Sequence, residues 1–361
     1  MVLLKQGPLP FKKGKSTAVI GQSVTDTMAY TGNYDGPLCA TGSARCFPNL
    51  VDGVNATNTG GLTTYYSGTD PIKGAAAAKA ADQVVLLVDN AADGGGEGRD
   101  RYVVYLSPEQ QALANAVIAA NPNTVLVLVN GGMISIDGLK ESAPAILEAF
   151  MPGVHGGPAM AETIFGDNNP GGKLPVTMYH SNYVNETDFL SMDMTNRSYK
   201  YYTGTPLYPF GFGLSYTTFA LKWDTPPPVY TVDDASTAST AYTATVTNTG
   251  SVAGDEVVLA YVTPNAASLR ASLGANVPVE KKRLFGFQRV TLAAGASTTV
   301  SFQLGPEELA MVDEDGHRSL HKGLFDVVLS RGHGDELSAP AAVAPVDGGN
   351  PIRLETFNKW W

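Results

Sequence analysis

Val84-Val85-Leu86-Leu87-Val88 runs without a polar break into Asp89-Asn90-Ala91-Ala92-Asp93-Gly94-Gly95-Gly96-Glu97-Gly98-Arg99-Asp100-Arg101. Five consecutive apolar residues predict a strand covered on both faces, the habit of parallel sheets. Downstream, Ser107 as N-cap and Pro108 in the first turn open a helix whose Leu113, Val117 and Ile118 keep helical spacing. A second apolar strand, Val125 to Val129, ends at Asn130-Gly131-Gly132. Ala145 to Met151 predicts another strand, and Gly157 to Phe165 another helix. Upstream, Ile72 to Asp82 is Ala-rich and helical, and Thr17 to Gly21 is a short buried strand. This alternation predicts an α/β sandwich: a mostly parallel sheet with helices on both faces.

Beyond Phe219 the pattern changes. Tyr242 to Thr247 alternates with period two and meets the turn Asn248-Thr249-Gly250. Strand-like runs follow at Glu256 to Val262, Leu284 to Leu292, Thr298 to Leu304 and Leu324 to Leu329. Short strands with Gly and Asn turns predict an all-β sandwich, approached through Thr225-Pro226-Pro227-Pro228. From Gly334 the chain is rich in Ala, Pro and Gly without periodicity, and a loosely attached tail is expected.

The 361 residues suffice for two to three domains with sizeable cores, and 43% hydrophobic with 16% charged residues is ordinary globular composition. A net charge of −10 argues against nucleic acid and anionic membranes as partners, since both need a positive patch. Apolar runs fall short of the ~20 residues that span a bilayer. Met1-Val2-Leu3-Leu4-Lys5 turns polar too soon for a signal peptide, so either the chain is cytoplasmic or its leader lies upstream. Three sequons, Asn55-Ala56-Thr57, Asn185-Glu186-Thr187 and Asn196-Arg197-Ser198, favour a secreted glycoprotein. Cys39 and Cys46, the two cysteines, are read as a loop-stapling disulfide or as two free thiols; zinc would need further ligands.

The loop after Val88 carries the chemistry. Loops at the carboxyl ends of parallel strands are where open α/β sheets hold ligands. Here three glycines precede Glu97, and Glu, Asp and Arg together offer a proton donor and a clamp for hydroxyl groups. The same composition also suits a solvated surface loop. A phosphate cradle is a weak reading, because the loop lacks the Lys-Ser/Thr ending and its acids would repel the ligand.

Glu97-Gly98-Arg99-Asp100-Arg101 with Leu106-Ser107-Pro108 and Gln110-Gln111 resembles the Glu-Gly-x-Asp-Arg…Leu-x-x-Gln stretch of family 3 glycoside hydrolases. Ala18 to Gly21, Tyr30 to Gly36, Gly166-Asp167 and Asn169 to Pro175 resemble further family segments in the same order, as does Pro206 to Phe219. Val246 to Gly250 and Leu284 to Val290 look like the family's fibronectin type III-like domain. The resemblance is to the β-xylosidases above all, on Asp89-Asn90, Asn196 to Tyr202 and Phe287 to Val290.

It implies an α/β sandwich domain over 1–215, a fibronectin type III-like domain over 216–333 and a tail over 334–361. It also implies a retaining β-glycosidase, whose Asp nucleophile sits on an N-terminal (β/α)8-type barrel and whose acid/base Glu sits on the sandwich. By motif position Glu97 is the acid/base. Asp93 is the alternative, because the usual second acid two positions earlier is here Gly95 and the loop is longer. Asp100, Arg101 and Tyr34 are the expected substrate-binding residues: Asp100 and Arg101 would orient the loop or hold it to the domain interface, and Tyr34 would face the sugar or pack beside the cleft. His155 is expected at an interface or as a helix cap. Tyr199, Tyr201, Tyr202, Tyr208, Phe210, Phe212 and Tyr216 are expected as the packing rings of a connector that bolts the two domains together, with sugar platforms as the other reading. The implied partners are β-xylosides or β-glucosides and the enzyme's own barrel, with no cofactor and no metal. Without that barrel the chain is expected to be inactive; the competing readings are a non-catalytic accessory or carbohydrate-binding protein, or a β-glucosidase or α-arabinofuranosidase of the same family.

Overall fold

Six strands build the first sheet: β1 (Val2–Lys5), β2 (Thr17–Gly21), β3 (Thr63–Ser67), β4 (Gln83–Asp89), β5 (Thr124–Val129) and β6 (Ala145–Glu148). Their order is β1-β6-β5-β4-β2-β3, parallel except for β1, which pairs antiparallel with β6. The computed structural model describes residues 1–31, 46–90, 98, 100–233, 238–334, 336–344 and 351–354. It divides into one unit of Met1–Leu190 with Pro206–Tyr216 and another of Ser191–Thr205 with Thr217–Trp361.

The apolar runs lack alternation because both faces of the sheet are covered. Val84, Leu86 and Val88 pack on one side with α2 (Pro71–Lys79), α3 (Pro108–Ala120) and α4 (Leu139–Ser142); Val85 and Leu87 pack on the other with α1 (Leu50–Thr57) and α5 (Gly156–Phe165). The capping box of α1 is formed by Asn49 and Asp52, and the N-cap of α3 is Ser107 as its sequence predicts. Helices α1 and α5 cross in close contact. A Cβ on Gly53 would lie 2.4 Å from the Gly157 carbonyl oxygen, and one on Gly157 would lie 2.2 Å from that of Asn49.

The predicted strand over 145–151 ends at Glu148. There Phe150 turns to φ 52 and donates its N–H to the Glu148 carboxyl at 2.8 Å, which breaks the extended run. Cys46 is disulfide-bonded, so no cysteine is free among the described residues; Cys39 lies outside them.

The second unit is a β-sandwich. Strands β7 (Phe219–Trp223), β8 (Tyr230–Val232), β9 (Thr240–Asn248), β10 (Gly254–Pro264), β11 (Arg283–Leu292) and β12 (Ser297–Leu304) are joined by β15 (Gly323–Ser330) and β16 (Leu337–Val343). They form a five-stranded sheet, β11-β10-β15-β16-β8, and a three-stranded one, β12-β9-β7. A small ribbon of β13 (Met311–Val312), β14 (Arg318–Leu320) and β17 (Ile352–Arg353) lies beside them in sequence. Alternation along β9 and β12 sends Ala244, Val246, Val300 and Phe302 into the core. The turn residue Asn248 is fully buried and binds Thr217 Oγ1, Val252 O and Leu292 O at 2.8, 2.8 and 3.1 Å.

Against the expectation of a loose tail after 333, β16 pairs with β15 along its whole length and buries Ala339, Ala341 and Val343. Alanine contributes little hydropathy, so its period of two was masked in the sequence. Four of the expected connector aromatics make contacts within their own unit: Tyr208 lies 5.2 Å from Phe212, Tyr216 donates to Thr163 O at 2.8 Å, and Tyr199 lies 6.3 Å from Tyr261. Among the described residues no helix is long and apolar enough to cross a membrane.

Candidate active site

Strand order fixes where a ligand crevice opens. The chain steps from β2 outward to β3 and returns past it to β4, so the links leaving β2 and β4 diverge to opposite faces, toward α1 and α3. Such a topological switch point is the ligand position in open α/β sheets. The segments leaving it are 22–49, which contains Tyr34, and 90–107, which contains Asp93 and Glu97. Tyr34, Asp93 and Glu97 themselves lie outside the described residues.

The stems of the second loop are tightly held. Asp89 is fully buried; its N–H donates to Gln110 Oε1 at 3.0 Å, and Gln110 Nε2 returns a bond to Asp89 O at 2.8 Å. Across the switch point Gln22 Nε2 donates to the Asp89 carboxylate at 3.3 and 3.4 Å. Asn90 reads the β5 turn with its carboxamide, donating to Gly132 O at 3.2 Å and accepting from Gly131 N at 3.4 Å. On the returning stem Arg101 Nη1 donates to Met133 O at 3.2 Å. Ser135 N then donates to Val104 O at 2.6 Å, which lays 104–105 beside 135. Both ends of the 91–99 segment are thus tied to one turn, 131–133. Asp100 is exposed, and His155, at the N-cap position of α5, is exposed and makes no side-chain cap bond.

Glu148, on β6, is the other acid at this edge and is also fully buried. Loss of water pushes its carboxyl up to about 8, so it keeps its proton at neutral pH. The Asn130 carboxamide beside it offsets a little of that shift, although the two do not meet in hydrogen-bond geometry. Sequence reasoning gave Asp89, Gln22, Asn130 and Glu148 no role; an acid ending an apolar run was the available signal. Among the described carboxylates at this edge, Asp89 and Glu148 are buried and hydrogen-bonded, and neither is placed to attack a substrate. A metal reading finds Asp313, Asp315 and His317 together in the second unit, but the Asp313 carboxylate caps its own turn, accepting from the amides of Asp315 and His317 at 3.0 and 2.8 Å.

Comparison with known proteins agrees with this architecture. Residues 1–216 match the glycosyl hydrolase family 3 C-terminal domain, and 256–332 match the fibronectin type III-like domain. A β-xylosidase of Formosa agariphila is 34% identical over 336 residues, covering 89% of this chain and 44% of the relative. A family 3 exo-β-xylosidase, XlnD, solved with a xylobiose aziridine activity-based probe, superposes with a TM-score of 0.83 at 26% identity, over 99% of this chain and 48% of its own. The family 3 β-glucosidase of Bifidobacterium adolescentis superposes with a TM-score of 0.76 at 28% identity, over 100% and 53%. The chain spans about half the length of the relatives it matches, and the barrel of the family is not in it. With both matched domains in order and a sheet whose switch point carries the motif loop, the chain belongs to glycosyl hydrolase family 3.

Proposed function

We propose that this chain supplies the acid/base loop of a retaining exo-β-glycosidase that removes terminal β-D-xylosyl groups from xylan and xylo-oligosaccharides. The observation that carries the reading is the anchoring of both stems of the 91–99 loop, through Asn90 and Arg101, on one turn at the switch point. A loop held at both stems can present Glu97 at a fixed place over a substrate. Retention needs two carboxyls about 5 Å apart. An Asp of the barrel attacks the anomeric carbon while Glu97 gives its proton to the departing oxygen; Glu97 then takes a proton from the water that releases the sugar. The barrel is therefore the partner, and the enzyme is secreted, with the three sequons as glycosylation sites. The likeness to a β-glucosidase over the whole chain supports glucoside hydrolysis on the same scaffold as a second reading.

Initial rates on p-nitrophenyl β-D-xyloside and β-D-glucoside test this, measured for the chain alone and joined to a family 3 barrel. The expected result is turnover by the joined form, faster on xyloside, and none by the chain alone. Turnover by the chain alone would mean that it holds both carboxylates, and the proposal would fall.

A further inference from the structure

The turn leaving β6 touches the 22–49 loop at Tyr30 and, at Gly131, the turn after β5 that ties the stems of the other loop. Glu148 pairs in register with Leu128 and accepts the Phe150 N–H at 2.8 Å; Phe150 O in turn accepts the Asn130 N–H at 3.1 Å. Between these bonds Phe150 is held at φ 52, a left-handed conformation that bulky residues rarely adopt. The turn then meets its neighbours. Met151 Cε lies where a Cβ on Gly131 would come within 2.5 Å, and the Gly153 N–H donates to Tyr30 O at 2.9 Å. Gly131 belongs to the turn that ties both stems of the Glu97 loop, and Tyr30 leads directly into 32–45, the segment of Tyr34. A neutral Glu148 can serve as this anchor without placing an unpaired charge inside the protein.

We propose that Glu148 is a positioning residue: by tying Phe150 it sets the β6 exit turn, and through that turn the stems of the loops that carry Glu97 and Tyr34. The catalytic consequence rests on the reading of Glu97 as acid/base; the structural one does not. Burial keeps Glu148 from acting on substrate itself: it is fully buried, and its one hydrogen bond is spent on the backbone of the turn.

The test compares the 361-residue chain with Glu148→Gln, Glu148→Leu and Glu148→Asp, by melting and by amide hydrogen exchange. Gln keeps a neutral acceptor and is expected to match the parent at pH 5, where Glu148 holds its proton in the fold. Leu keeps volume and Asp keeps the acid, but both lose the bond to Phe150. A folded Leu or Asp variant is expected to exchange the hydrogen-bonded amides of Gly131, Ser135 and Gly153 about 10-fold faster, with β9 and β12 unchanged. In the barrel-bearing enzyme that variant should lose about 100-fold in kcat/KM on an alkyl xyloside. It should lose far less on a dinitrophenyl xyloside, whose leaving group departs without a proton. Unchanged exchange in a folded Leu or Asp variant overturns the proposal whatever the activity. Unfolding of both overturns it too, since Glu148 would then hold the fold and not these loops, as does a Gln variant as impaired as Leu. Glu97→Ala alongside separates the two readings: if it lacks the leaving-group dependence, the role of Glu97 falls while the exchange result stands.

Discussion

A carboxyl at the buried end of a strand titrates differently from one on a Gly-rich loop. Folding carries the Glu148 carboxyl from its ordinary 4.5 up to about 8, because burial removes the water that would solvate its charge. Between those values the unfolded chain has released the proton and the folded chain still holds it, so stability falls as pH rises. The Glu148→Gln variant has no proton to lose there. Its melting temperature is expected to gain on the parent from about pH 5 to about pH 8 and then stay level; a constant difference across that range would mean that Glu148 is already ionised in the fold. At this scale Glu97-Gly98-Arg99-Asp100-Arg101 made the family legible, while Glu97 itself lies outside the described residues. Glu148 was not legible, because an acid after Ala145-Ile146-Leu147 reads as the polar end of a strand. The tie to Phe150, the burial and the proton all come from elements distant in sequence. Gln110 was visible as a motif position, and its paired bonds to the Asp89 backbone explain what such a residue does there.

Strands β2, β4, β5 and β6 were legible because doubly covered strands give unbroken apolar runs. Strand β1 is four residues at the edge, β3 presents exposed Tyr65 in a Thr-Thr-Tyr-Tyr run, and β16 alternates small residues. Each gives weak contrast in hydropathy, and each is held by neighbours the sequence does not name. Helix packing was likewise hidden. Gly53 and Gly157 read as helix-weakening glycines, yet they let α1 and α5 meet backbone to backbone. Gly53→Ala and Gly157→Ala should each cost about 1–3 kcal/mol in urea unfolding, since the nearest atoms are backbone carbonyl oxygens that cannot swing aside. Stability gained from either alanine, as helix propensity alone would give, would contradict the close crossing.

The chain passes between its two units after Leu190, after Thr205 and after Tyr216. Residues 191–205 fold with the second unit: Lys200 pairs with Glu280 at 3.2 Å, the Leu284 N–H donates to the Tyr199 hydroxyl at 3.2 Å, and the Lys281 N–H donates to Lys200 O at 2.6 Å. A chain starting at Ser191 should therefore melt above one starting at Thr217, by about 3 °C for each kcal/mol these contacts contribute; equal melting would show that the segment adds nothing. In the larger enzyme that we propose, this chain gives one carboxylate and the barrel the other. The most direct measurement is the behaviour of Glu97→Ala and Asp93→Ala in the barrel-bearing enzyme on xylosides, with azide added as a nucleophile that needs no general base. The account predicts that Glu97→Ala turns over slowly, that azide restores its rate on a dinitrophenyl xyloside, and that the product is the β-xylosyl azide, while Asp93→Ala stays close to the parent. Azide rescue of Asp93→Ala with an unimpaired Glu97→Ala would contradict it and move the acid/base to Asp93.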